Sequence, residues 1–238
     1  MLPCLTQNWK PAAAVVTAFL CMAQLAPAQS QLPRMPDGKP DLSGVWERPP
    51  ILDMSKDGKN QKGAGPLPFT DWAKANLVEE FDGAAHCLPL GYVRSVGTPF
   101  PFEIVQRRDR IVLLYEFNND FHVIFMDGRG HPADWEPTWA GHSIGKWDGD
   151  TLVVDTVGFN EKTRLDVVGH PHSGGLRVME RFTPTDSMHI AYEITIDDPK
   201  AYTKPFQNAR TFTRRTDWEL TEYNCNENNK DVREGHVK

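Results

Sequence analysis

The chain lacks an excess of positive charge. Its 26 Lys and Arg stand against 32 Asp and Glu, a formal net charge of −6 over 238 residues. That argues against nucleic acid or an anionic membrane surface as a partner. It also lacks, anywhere, the run of roughly 20 apolar residues that a membrane-spanning helix needs, so no membrane span is expected. Heptads, low-complexity blocks and a repeat period are missing, which excludes coiled coils and solenoids. There is no P-loop, no dinucleotide fingerprint, no Cys-x-x-Cys and no His-Glu-x-x-His. "GHSIG" at 141–145 matches Gly-x-Ser-x-Gly by letters alone. It sits between strand patterns and not on a strand–turn–helix elbow, so no serine nucleophile is expected.

Cysteine is scarce, four in all, and two of them fall in a stretch that is not expected to belong to the fold. Lys10 gives one positive charge, residues 12–25 (AAAVVTAFLCMAQL) form a short apolar region, and "APA" at 26–28 is a small-residue cleavage site. Residues 1–28 therefore read as a secretory signal peptide, with the mature chain starting near Gln29. Leu20 stands before Cys21 where a lipoprotein signal wants a small residue, which argues against lipidation there. The expectation is an exported protein, periplasmic or secreted. Removing Lys10 with the signal takes the net charge from −6 to −7. Cys87 and Cys225 are left as an even pair in an oxidising compartment, so a disulfide is the default expectation, with two free thiols as the alternative. Closing so long a loop would stabilise the fold by about 4–5 kcal/mol in the chain-entropy model.

Residues 29–41 hold three prolines and no apolar periodicity, and read as an extended lead-in. Residues 42–226 read as one domain and 227–238 as a flexible tail. "LSGVWERPP" (42–50) is a short strand stopped by two prolines. Residues 53–68 read as a surface loop. "PFTDWAKANLVEEFDG" (68–83) is the one good helix signal, capped by Thr70 or Asp71 and stopped by Gly83. From residue 100 the apolar period is two. "FEIVQRR", "RIVLLYEF", "DFHVIFMD", "GHSIGKW", "TLVVDTVGF", "LRVMERF", "MHIAYEITID", "FQNARTFTRR" and "ELTEYNC" follow one another, mostly through short turns such as Asp148-Gly149-Asp150. With the first strand this makes about ten. Short joins imply antiparallel neighbours, and a long meander removes its edges by closing. The expected fold is all-β: an antiparallel up-and-down barrel of eight to ten strands with one helix near the N-terminus. A β-sandwich is the alternative.

Gly44-Val45-Trp46 ahead of such a meander resembles the start of lipocalin-like, or calycin, barrels. The wider string "PDGKPDLSGVW", "DGRGHPADWEPTWAGHSIGKWDGDTLVVDT", "GHPHS" and "DDPKAYTKP" resembles a large group of exported bacterial proteins. That resemblance covers most of the chain from Gln29 onward. It implies export and a shared fold, and carries no agreed activity.

In a strand, alternate residues share a face, so charges on apolar faces can be read from the pattern. Glu180 shares a face with Val178 and Phe182, Asp155 with Val153 and Val157, and Glu116 with Val112 and Leu114. Tyr115 lines up with Ile111 and Leu113, and His122 with Ile124. A carboxylate on an inner face must be paired, hydrogen-bonded or protonated, and a raised carboxyl pKa suits acid–base chemistry near neutral pH. Glu180 or Asp155 can instead face outward, or pair with Arg177, Arg181 or Arg210.

"GHPHSGGLRVMERF" (169–182) sharpens the question. His170-Pro171-His172 followed by Glu180 resembles the cupin metal motif, in which the Glu follows after three or four residues. Here seven intervene, which argues against a cupin site. Three readings stay open. In the first, His170 or His172 exchanges protons with a substrate at the barrel mouth. Glu180 or Asp155 then serves as the second group, and Tyr115 and Arg129 stabilise an oxyanion. This reading needs no cofactor and leads to a lyase, isomerase or hydrolase. In the second, His131, His142, His170 and His172 gather a divalent metal, Zn or Fe. In the third the protein is a carrier of a small, partly apolar molecule, with Trp135 and Trp139 as a lid and His122 and Glu116 lining the interior.

Overall fold

Ten strands and two short helices carry the fold in the computed structural model, which describes residues 32–78 and 87–224. The expected signal peptide, Cys225 and the tail at 227–238 lie outside the described residues. The strands are β1 (Gly44–Glu47), β2 (Gln61–Lys62), β3 (Phe102–Gln106), β4 (Arg110–Tyr115), β5 (Phe121–Phe125), β6 (His142–Asp148), β7 (Thr151–Val157), β8 (Arg177–Pro184), β9 (His189–Asp197) and β10 (Phe206–Arg214). The helices are α1 (Asp71–Ala75) and α2 (Tyr92–Ser95).

Sequential hairpins join β3 to β4 to β5, and β6 through to β10. Their turns use the residues that tolerate left-handed backbone. Asn118 and Asn119 have φ of 59° and 52°, and Gly149 has 59°. β1 then closes the sheet by pairing with both ends of the meander. Trp46 stands opposite Phe102 of β3 and opposite Arg214 of β10. The result is a closed, nine-stranded barrel of lipocalin-like form, with β2 added outside on β10. No strand of the closed ring is an edge, which removes the hazard of open pairing.

The barrel interior follows from alternation. Trp46, Phe102, Leu113, Ile124, Val154, Phe182, Ile194 and Phe212 are all at most 2% exposed. Each such side chain contributes about 1.5–3 kcal/mol by leaving water. Gly145 is opposite Val154, where a Cβ would collide with Met126 and come within 2.8 Å of Ile124. Gly145 thus leaves room on the inner face of β6 for Met126 and Ile124.

Four expectations need correction. The barrel is mixed: β5 and β6 run parallel, Ile124 beside Ser143. The segment 126–141 between them is long enough for the crossover a parallel pair needs, where a hairpin is not. Among the described residues there are two helices where one was expected. α1 does start at Thr70, whose Oγ accepts from the Ala73 N–H at 3.2 Å, but it ends at Asn76. Gly83, the expected stop, lies outside the described residues. α2 was not foreseen, because four residues carry no periodicity. "ELTEYNC" forms no strand among the described residues, and only Tyr223 makes a bridge, to Phe117. The loop 53–68 is not wholly irregular, since it contributes β2.

Candidate functional site

The inner wall that should be apolar carries one carboxylate. Glu180 projects from β8 between Val154 of β7 and Ile194 of β9, and is 0% exposed. Two tyrosines meet it. The Tyr92 hydroxyl, carried in by α2, lies 2.8 and 2.7 Å from the two carboxyl oxygens, and the Tyr192 hydroxyl of β9 donates to Oε1 at 2.6 Å. Burial pushes the Glu180 carboxyl up to about 7, against the pull of the two tyrosine hydrogen bonds and the Arg210 charge. Burial also holds both tyrosines well above their ordinary range, with Glu180 adding to the rise. Three close contacts share only two tyrosine protons. The third contact gains a hydrogen when Glu180 itself is protonated.

Two guanidinium groups share this interior. Arg210 of β10, 3% exposed, donates to Asn208 Oδ1 at 2.8 Å and to the Val96 carbonyl at 3.2 Å. Arg48, also 3% exposed, follows β1 and lies over the rings of Phe102 and Tyr115, at 4.8 and 4.9 Å to their centroids. Its Nε and Nη2 donate to the carbonyl and hydroxyl of Thr98. Its Nη1 and the hydroxyl of Tyr115 have no hydrogen-bond partner. A second polar run crosses the wall from β5 to β7. His122 Nε2 lies 2.6 Å from Ser143 Oγ, which lies 2.6 Å from Thr156 Oγ1. The His122 ring stacks on Tyr92 with centroids 3.8 Å apart. Burial, then His142, lowers His122 to about 3, so this imidazole is neutral at physiological pH.

The histidines singled out in the sequence do not share one centre. His170 Nδ1 lies 2.6 Å from Asp166 Oδ2, and its backbone N–H reaches the same carboxylate. His172 Nε2 lies 2.6 Å from Thr163 Oγ1, and its Nδ1 faces the Ser173 carbonyl. Both rings are buried, 7% and 2% exposed, so neither lines an open mouth as the first reading required. Burial lowers the pKa of His172. His131 and His142 touch each other, with their Nδ1 atoms 2.9 Å apart. They form an outer patch with Asp155, whose Oδ2 lies 3.5 Å from His131 Nε2. The expected four-histidine metal set is thus divided among three sets of partners. A different trio offers one ligand atom each within 4.8 Å: Asp53, Asp166 and His170. Asp166 in that trio already accepts from Met54 N at 2.7 Å.

The other candidates fall outside the interior. Asp155 forks with Arg177 at 2.8 and 2.6 Å on the outer face, because β7 turns Val154 and Thr156 inward. Arg129 is exposed, forks onto Asp127 and covers Phe125, so it makes no pair with Tyr115. Glu116 accepts from the Thr221 N–H. Trp135 is 38% exposed and stands edge-on to His142, and Trp139 lies under Lys162. Of the candidates, Glu180, Tyr115 and His122 are the ones on the barrel's inner wall.

Three interior residues, Tyr192, Tyr92 and Arg48, were missed, and Arg210 was named only as an ion-pair partner for a carboxylate. Tyr192 shares a face with Ile190 and Ile194, and Arg210 with Phe206 and Phe212, so alternation alone marks both. Tyr92 and Arg48 lie outside strands, where no period points. The chain matches no protein-family model and no curated protein.

Proposed function

We propose that this is an exported barrel that acts on a small molecule by acid–base chemistry of the lyase, isomerase or hydrolase kind. Glu180 holds the working proton, and Tyr92 and Tyr192 relay it. One observation carries this reading: a fully buried carboxyl gripped by two tyrosine hydroxyls, which burial pushes up to about 7. Such a group gives and takes a proton at little cost. Tyr92 sits on a four-residue helix and stands between Glu180 and the His122 ring. A substrate that reaches the carboxyl displaces this tyrosine.

Export supplies the setting, through the signal-peptide pattern at 1–28. A disulfide between Cys87 and Cys225 belongs to the same reading. Asn224, next to Cys225 in the sequence, lines the same surface pocket as Cys87.

The test incubates the protein in D2O with a small-molecule extract of culture medium and follows masses over time. Consumption, or deuterium wash-in at C–H positions, by the wild type and not by Glu180→Gln supports the reading. Equal behaviour of the two proteins sinks it. One observation favours a carrier as the second reading: Glu180 is closed off from solvent. Retention of a compound without its conversion would select the carrier.

A further inference from the structure

Among the described residues, the barrel interior holds two guanidinium groups, Arg48 and Arg210, against one carboxyl, Glu180. The interior is therefore short of negative charge even when Glu180 is ionised. Buried charges are normally paired, because leaving water without a partner is costly. Arg210 has Glu180 and Asp166 acting on it. Arg48 does not. Its side chain makes no ion pair with a carboxylate among the described residues, and burial lowers its pKa. Its hydrogen bonds go to one neutral residue, Thr98. One of its nitrogens is left over, and the hydroxyl of Tyr115, under its guanidinium plane, is left over as well. Buried polar atoms without partners are rare in folded proteins, so two donors on adjoining side chains require an explanation.

Arg48 also lines a surface pocket of about 330 Å3 with Glu47, Lys59, Asn60, Thr211 and Thr213. That volume lies within the roughly 300–1,000 Å3 typical of small-molecule sites. Glu47 is held by Arg215 at 2.9 Å, so its charge is taken up by a neighbour. The pocket thus reaches Arg48 from the outer side of the barrel wall.

We propose that Arg48 and Tyr115 form the anion seat of this barrel, and that its ligand is an organic carboxylate. The guanidinium Nη1 and the phenol hydroxyl donate to the carboxylate oxygens. The rings of Phe102 and Tyr115 flank the seat, and an apolar body joins them. This names the ligand class of the acid–base reading above, on which its link to catalysis rests. The seat itself is measurable without turnover.

The experiment is calorimetric titration of the full chain with benzoate, acetate, benzyl alcohol and inorganic phosphate. Benzoate binds most tightly. Benzyl alcohol, which keeps the ring and lacks the charge, binds at least about tenfold more weakly, since hydrogen bonds to charged groups contribute roughly 1.5–3 kcal/mol. Tyr115→Phe deletes a hydroxyl that has no partner, so it folds with unchanged thermal stability and weakens benzoate several-fold. Arg48→Met removes the binding and, without ligand, raises the melting temperature by removing an uncompensated charge. The inference is overturned if neither carboxylate binds, if Arg48→Met binds benzoate as the wild type does, or if phosphate or benzyl alcohol matches benzoate. A lower melting temperature for Arg48→Met would make Arg48 structural and overturn it too. Glu180→Gln separates the two ideas. It retains benzoate binding if the seat is right, whatever happens to turnover.

Discussion

Tyr92 stands 2.8 and 2.7 Å from the two oxygens of Glu180, although 88 residues separate them in the chain. The contact locks α2 into the barrel and leaves Glu180 with no solvent. It also decides how this carboxyl titrates. Glutamate's ordinary value is 4.5, and the folded value is about 7.

Glu180 therefore sets a pH-dependent stability. Between about 4.5 and 7 the folded state holds a proton that the unfolded state has lost. Its contribution falls as pH rises through that window and is flat above it, a change on the order of 3 kcal/mol. His122 acts in the opposite sense, because its folded value is about 3 and its contribution is lost as pH falls below 6.5. The wild-type profile alone thus mixes the two. Glu180→Gln copies the protonated form, so its stability relative to wild type should rise from pH 5 to about pH 7 and level off above it. Chemical denaturation at four pH values measures it, and a constant difference would show an unperturbed carboxyl.

Ser143 lies between His122 and Thr156, 2.6 Å from each, and is 1% exposed. Its hydroxyl serves the wall and reaches no substrate. Ser143→Ala should cost about 1–3 kcal/mol, the penalty for stranding buried polar partners. It should leave any activity of the folded protein intact. Loss of turnover at full stability would instead make Ser143 a working group.

Asp166 gathers the Met54 N–H at 2.7 Å, the His170 N–H at 3.2 Å and the His170 ring at 2.6 Å. Asp166→Ala strands all of them and should destabilise the fold by about 3 kcal/mol or more. Thermal melting reads this. A neutral outcome would mean that the loop carrying His170 does not depend on the carboxylate.

Asp155 and Arg177 make a short fork, but Arg177's side chain is 54% exposed. Exposed pairs contribute little, so Arg177→Ala should change stability by less than about 1 kcal/mol. Asp155→Asn should leave turnover unchanged. A strong loss of activity in Asp155→Asn would return Asp155 to the catalytic candidates.

The fold was legible to the extent that it is written in alternation. Strands β3 to β10 other than β7 show it, and turn residues such as Asn118, Asn119 and Gly149 mark where they reverse. The parallel step from β5 to β6 was not legible, since a loop of that length permits either direction. The site was legible where it lies on strands. Glu180, Tyr115 and His122 stand on faces shared with apolar neighbours, and their placement inside follows. Asp155 shows the limit. β7 is apolar on both faces, with Val153 and Val154 both buried, so period two cannot say which face is inner.

The order of residues by itself determined a β-rich chain that closes to hide its edges, and a single acidic side chain on an otherwise apolar face of β8. Tertiary structure alone decided what that side chain meets. Tyr92 comes from a helix too short to have a pattern, and Arg48 from the residues just past β1. Their partners lie 88 residues away for Tyr92 and 50 for Arg48. Alternation fixes which side of a strand a residue faces. Only closure of the barrel, a long-range event, fixes which side chains meet there, and with them the charge balance and proton affinity of the interior.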